Sequence, residues 1–184
     1  MSENRNALES RVEECLVSIT WTHKVHEKQG DIYSLYSKCV NIASIVATSL
    51  TGSGALTLLA FDEFWMKVAT VALAFLSLVL FICSVAFSFS ENALSHRQAA
   101  KVFLSLREEG RDLKALFADE SYSCQQLQSK YEALRGRYLV ACTLEPQTTD
   151  RAVEKADKAL KDGESTVSDE ERRLLAPTNG SESL

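Results

Sequence analysis

Charge is what the middle of this sequence lacks. Between Lys38 and Glu91 the only Asp, Glu, Lys or Arg residues are Asp62, Glu63 and Lys67, all inside the stretch Asp62-Glu63-Phe64-Trp65-Met66-Lys67. Residues 39–61 and 68–89 carry none. A soluble helix of that length shows a polar face. Here the polar positions are only Ser, Thr, Asn and Gly, which a bilayer tolerates. As helices the two stretches would extend about 34 and 33 Å at 1.5 Å per residue, enough for a ~30 Å hydrocarbon core. The mean hydropathy of -0.08 averages this centre with two charged flanks.

Other absences narrow the function. With no Asp, Glu, Lys, Arg or His in either span, a proton relay or ion-coupled transporter is disfavoured. There is no Gly-x-Ser-x-Gly, no Cys/His pair in a supporting context and no metal cluster, so the sequence offers no enzyme constellation and no cofactor site. Thr51-Gly52-Ser53-Gly54 has neither a following Lys nor a preceding strand and is no phosphate loop. The five cysteines form no Cys-x-x-Cys pair and read as free thiols. Of the three histidines, His23 and His26 share a helix face beside Glu27. His26 stands 13 residues before Cys39 and His96 seven after Phe89, which on straight helices places them about 20 and 10 Å below the spans. That spacing favours structural histidines over a metal site. Residues 90–144 have net charge +1 and 145–184 net -4, with no basic patch for nucleic acid.

The uncharged stretches therefore read as two transmembrane helices, 39–61 and 68–89, joined by a turn at 62–67. Phe61, Phe64 and Trp65 suit the lipid–water interface. Lys24, Lys28 and Lys38 precede the first span and Arg97, Lys101 and Arg107 follow the second, against Lys67 alone in the turn. By the positive-inside rule both termini lie in the cytoplasm. The first span starts too far along the chain for a cleaved signal peptide.

The flanks are patterned for helices. Leu8, Val12, Cys15, Ile19 and Thr22 follow a 4-3-4-3 spacing; Gly30-Asp31 predicts a break before the helix resumes into the first span. After the second span no punctuation is evident. Ala99, Phe103, Leu106, Gly110, Leu113 and Phe117 form one seam. Ser121 is a cap for the next helix, with Leu127, Tyr131, Leu134, Tyr138 and Ala141 as its seam, ended by Pro146. The expected fold is all-α: a two-span hairpin with a cytoplasmic helical bundle formed by the flanking helices. Its parts are 1–38 (amphipathic helix and approach), 39–89 (hairpin), 90–144 (cytoplasmic helices) and 145–184 (acidic, partly disordered tail). Within the tail, 150–162 reads as a short helix with Ala152, Ala156 and Ala159 on one side, and Ser168 with Glu171 as a capping box.

Each span carries a stripe at fours and threes: Ser37, Asn41, Ser44, Thr48, Thr51 and Ala55, then Thr70, Ala74, Ser77, Phe81, Ser84 and Ser88. These residues either line a pore, with dewetting at Phe81, or pack helix on helix. Two helices cannot enclose water, so a pore requires several hairpins. Phe103, Leu106, Leu113, Leu127, Tyr131, Leu134 and Tyr138 are the bundle or oligomer contacts.

The run "ITWTHKVHEKQGDIYSLYSKCVNIASIVATSLTGSGAL", a short acidic turn, a second span, then "SENALSHRQAAKVFLSLREEGRDLKAL" resembles the SLATT superfamily of two-transmembrane effectors that accompany SMODS nucleotidyltransferases and SLOG-domain sensors. The resemblance covers about 15–143 and leaves the acidic tail outside. It implies a bacterial defence effector of the inner membrane that permeabilises the bilayer as a homo-oligomer. The implied partner makes or senses a nucleotide second messenger. It supplies no catalytic residue. The rival reading is a non-conducting membrane adaptor that recruits a soluble partner through its bundle or tail.

Overall fold

The computed structural model describes residues 2–58 and 63–163, and these are helical throughout apart from short connections. The order is α1 (Ser2–Leu58), α2 (Phe64–Phe87), α3 (Phe89–Ala115), a single 3-10 turn (Leu116–Ala118), α4 (Cys124–Leu144) and α5 (Asp150–Lys161). The chain is all-α, built on two long apolar helices, as its charge pattern required. Of the expected turn at 62–67 only Asp62 lies outside the described residues, and Phe64 to Lys67 already form the first turn of α2 instead. The Ser168 capping box and residues 164–184 also lie outside.

α1 is a single helix of 57 residues, about 85 Å long at 1.5 Å per residue. The expected break at Gly30-Asp31 does not occur. Gly30 is instead a contact point: a Cβ there would lie 3.0 Å from Arg97 Cγ and 3.4 Å from the Ala93 carbonyl oxygen on α3. A missing side chain reads as a helix stop in sequence, but here it admits a neighbouring backbone. The interruption falls on the other arm. Ser88, between α2 and α3, has φ 43° and ψ 41°, a left-handed conformation unusual for a residue with a Cβ. The Ser88 hydroxyl donates to the Val85 carbonyl (3.3 Å), and Asn92 Nδ2 to that of Phe87 (3.0 Å). These bonds hold the bend.

The bundle core lies where the seams meet. Leu8, Val12, Cys15 and Ile19 of α1 pack on Phe103, Leu106 and Leu113 of α3, on Phe117, and on Leu127, Tyr131 and Leu134 of α4. Each large apolar side chain removed from water contributes roughly 1.5–3 kcal/mol. Gly110 lets the helices close up: its Cβ would sit 2.5 Å from Leu16 Cδ2. Ala100, not Ala99, is the fully buried member of the α3 seam, while Ala99, Tyr138 and Ala141 pack at its edge. Arg5 closes the far end by donating to the carbonyls of Phe117, Asp119 and Tyr122 at 2.9–3.0 Å. The cap of α4 is Ser123, not Ser121. Its hydroxyl accepts from the Gln126 amide, and the Gln126 side chain accepts from the Ser123 amide, a reciprocal pair that satisfies two helix-end donors. Glu145, before Pro146, is extended and ends the helix.

α5 lies along α1. Ala152, Ala156 and Ala159 are buried, the first two against Val25 and Ile32. Trp21 Nε1 donates to Asp157 (2.9 Å) and Arg151 to the Tyr36 hydroxyl (2.7 Å).

Candidate functional site

The two spans meet along one seam. Val40, Ser44, Ala47, Thr51 and Gly54 of α1 are its least exposed positions, as are Met66, Thr70, Leu73, Ser77, Leu80 and Ser84 of α2. At the narrowest point a Cβ on Gly54 would stand 2.6 Å from Thr70 Oγ1. Three of the seam hydroxyls are satisfied within their own helices: Thr51 donates to Ala47, Thr70 to Met66 and Ser77 to Leu73, at 2.8–2.9 Å. Five residues of the two stripes (Ser44, Thr51, Thr70, Ser77, Ser84) thus sit between the helices of one hairpin.

Five of the remaining stripe residues face outward, while Ser37 is half-buried below them. Asn41, Thr48 and Ala55 are exposed, as are Ala74 and Phe81, and nothing lies within 4 Å of a Cβ placed on Gly52. At about 100° per residue, Asn41, Thr48, Gly52 and Ala55 fall to one flank of the α1 seam, and Ala74 and Phe81 to the same-handed flank of the α2 seam. In an antiparallel pair these flanks share one side of the hairpin. Apart from Ser49 and Ser53, whose hydroxyls bond the backbone of their own helix, the rest of the surface is mainly apolar, with Ile42, Val46, Leu50, Val71, Phe75 and Leu78 all more than half exposed. α2 buries no residue at all, and a contiguous apolar surface of that size is stable only against lipid or protein. Ser88, last of the second stripe, is the bend.

Below the spans lies a buried polar cluster that spacing alone did not reveal. His26 and His96 meet Nδ1 to Nδ1 at 3.0 Å, and His26 Nε2 is 3.0 Å from a Glu145 carboxylate oxygen. Both rings are almost wholly inaccessible. One hydrogen can occupy the Nδ1 contact; a second would face it at close range. Burial lowers His96 to about 4, with His26 beside it acting in the same direction. Burial also lowers His23, whose Nδ1 lies 2.8 Å from the Ala100 carbonyl. Gln29, also buried, accepts from the Thr149 amide (3.0 Å) and hydroxyl (2.7 Å). Aromatic rings extend this cluster both ways: Phe103 on His26 into the bundle core, and His96 on Tyr33 with Tyr33 beside Phe89 towards the spans.

The expectation that His26 and His96 differ in depth is therefore wrong. Phe89 lies opposite Tyr33, not Cys39. Counting seven residues back along α1 and seven forward along α3 brings His26 to His96. The depth comparison had taken Cys39 as level with Phe89, an offset of six residues or about 9 Å of helix. Cys15 and Cys142 carry thiols that burial raises, hence protonated and unreactive. The bundle contacts Phe103, Leu106, Leu113, Leu127, Tyr131 and Leu134 are buried inside one protomer, with Tyr138 half-buried among them.

A family profile described as SMODS and SLOG-associating 2TM effector domain family 4 matches residues 8–171. The chain belongs to this SLATT family. The match runs further than the resemblance read from the sequence, which stopped near residue 143. It takes in α5 and its buried alanines, so the α5 part of the acidic tail is not an appendage outside the domain. The SLATT spans are the two helices long and apolar enough to cross a membrane. Comparison with curated proteins and with solved structures finds no match.

Proposed function

We propose that this SLATT protein is a bacterial defence effector. It assembles as a homo-oligomer into a regulated pore that depolarises the inner membrane, on a signal from a partner that makes or senses a nucleotide messenger. Family membership supports the effector role. The observation that carries the pore is the flank on which Asn41, Thr48 and Gly52 lie exposed without charge; the exposed hydroxyls on the far side of α1, Ser49 and Ser53, are turned back onto the backbone of Ile45 and Ser49. Small residues let neighbouring helices approach closely in lipid, and several hairpins with this flank turned inward would surround an uncharged, weakly selective conduit. The hydroxyls of Thr51, Thr70 and Ser77 already bond their own helices, which favours cohesion over conduction for the seam. Both termini lie in the cytoplasm by the Lys/Arg balance, so Phe64→Cys in a cysteine-free background labels from the periplasmic side of intact cells. Labelling there only after lysis would reverse the orientation.

The assembly is tested at the same flank. Gly52→Cys, in a cysteine-free chain in native membranes, should oxidise to crosslinked dimers, while Val46→Cys on the opposite side should not. Equal crosslinking at both positions, or at neither, contradicts the proposed face. A protein that recruits a soluble partner yet never crosslinks at Gly52 or depolarises the membrane would be the non-conducting adaptor instead.

A further inference from the structure

Where α2 bends into α3 the surface opens into a groove of about 420 Å³, within the ~300–1,000 Å³ range of small-ligand sites. Ser34, Ser37 and Lys38 of α1 line one wall, and Ser90, Glu91 and Arg97 of α3 the other. We propose that this groove binds the phosphodiester of an anionic membrane phospholipid.

The location comes first. The α3 wall begins two residues beyond the Ser88 bend, where the apolar α2 ends. The α1 wall starts beside Tyr33, whose ring lies tilted against Phe89. Aromatic side chains of this kind mark the lipid–water boundary, so the groove opens at headgroup level, under exposed hydrocarbon-facing walls. Leu94 lines the same groove and is 58% exposed, an apolar contact for the first carbons of an acyl chain. Lys38 has a long apolar stem that can lie along the span while its ammonium reaches the headgroups.

Charge narrows the ligand. Within the lining Lys38 and Arg97 supply two positive charges and Glu91 one negative, so that once Arg97 turns from Asp31 to the ligand the balance matches the single charge of a phosphodiester. A phosphomonoester dianion would set its second charge against Glu91. Three serine hydroxyls add donors for the phosphate oxygens, and Arg97 can meet two oxygens at once. Arg97 also faces Asp31 at 3.6 Å, with both side chains more than half exposed. Such a pair yields readily to a better acceptor.

The test uses the full-length protein in phosphatidylcholine nanodiscs, with or without phosphatidylglycerol, and reads thermal unfolding. Phosphatidylglycerol should raise Tm saturably, by about 2–4 °C. Lys38→Gln with Arg97→Gln should lose that shift and keep the wild-type Tm in phosphatidylcholine alone. Should that variant fold poorly, Ser37→Leu fills the groove with both cations retained and should lose the shift too. Lys101→Gln with Arg111→Gln removes the same charge elsewhere on α3 and should leave the shift intact. Inorganic phosphate added to phosphatidylcholine nanodiscs should give no shift. The proposal is overturned if wild type shows no shift, if phosphate alone reproduces it, or if it survives in both groove variants. An equal loss in the Lys101/Arg111 control would also overturn it, by reducing the effect to general surface attraction.

Discussion

His96 is the residue whose chemistry shows most directly how the bundle is held. In the folded chain it resists protonation down to about 4, whereas an unfolded histidine takes up a proton near 6.5. The folded pKa is the lower one, so stability is full above about pH 6.5, falls as pH drops towards 4 and levels off below. At pH 5 the loss is about 2 kcal/mol. Chemical denaturation between pH 7.5 and 5 should show this decline, and His96→Gln should flatten it. An unchanged pH dependence in that variant would mean the ring is not held neutral by its surroundings. A second residue-scale expectation concerns the hairpin. Gly54→Val places side-chain atoms against Thr70 and should weaken the span pair by about 1–3 kcal/mol. Thr70→Ala in the same chain removes the hydroxyl, 2.6 Å from a Gly54 Cβ, and should recover part of the loss in a denaturant series.

At the scale of elements, the seams of α1, α3 and α4 were legible because burial on a helix repeats at fours and threes. Leu8 to Thr22 and Leu127 to Leu134 are buried at that spacing. The three-alanine face of α5 was legible for the same reason. What spacing cannot show is register between helices. Whether His26 meets His96 depends on how far α1 slides along α3, and taking Cys39 as level with Phe89 misplaced it. The breaks were misplaced because glycine has two uses, and at Gly30 close approach to α3 outweighs its lower helix propensity. Ser88 carries no sequence signal for a left-handed residue. Ser88→Gly should relieve that strain and raise the midpoint slightly, by up to about 1 kcal/mol, whereas a lower midpoint would show that the hydroxyl bond to Val85 matters more than the backbone. α5 is held by small side chains and a few polar contacts, so it should open before the rest. Ala156→Arg cannot be buried against Val25 and Ile32, and should raise hydrogen exchange across 150–161 while leaving 103–113 protected. Equal loss of protection in both segments would make α5 an integral part of the core.

The whole molecule is a hairpin whose long arm, α1, passes unbroken from the bundle into the membrane, while the other arm turns at Ser88. α1 is thus a continuous link between bundle and span, while the other arm reaches the bundle through the bend at Ser88. Since the bundle core is complete within one protomer, the proposed oligomer would join through other surfaces, and the flank of Asn41 and Thr48 is the one on which the proposed conduction rests. The decisive measurement is membrane potential, followed with a voltage-sensitive dye in cells as the protein is overexpressed or its partner activated. Wild type and a variant with Asn41→Leu and Thr48→Leu are compared, the hydroxyls of the span seam being left in place. Wild type should depolarise the cells, and the variant should reach the membrane and form oligomers yet leave the potential intact. Undiminished depolarisation by the variant would remove this flank from the conduit, and a wild type that never depolarises the membrane under any trigger would contradict the pore itself.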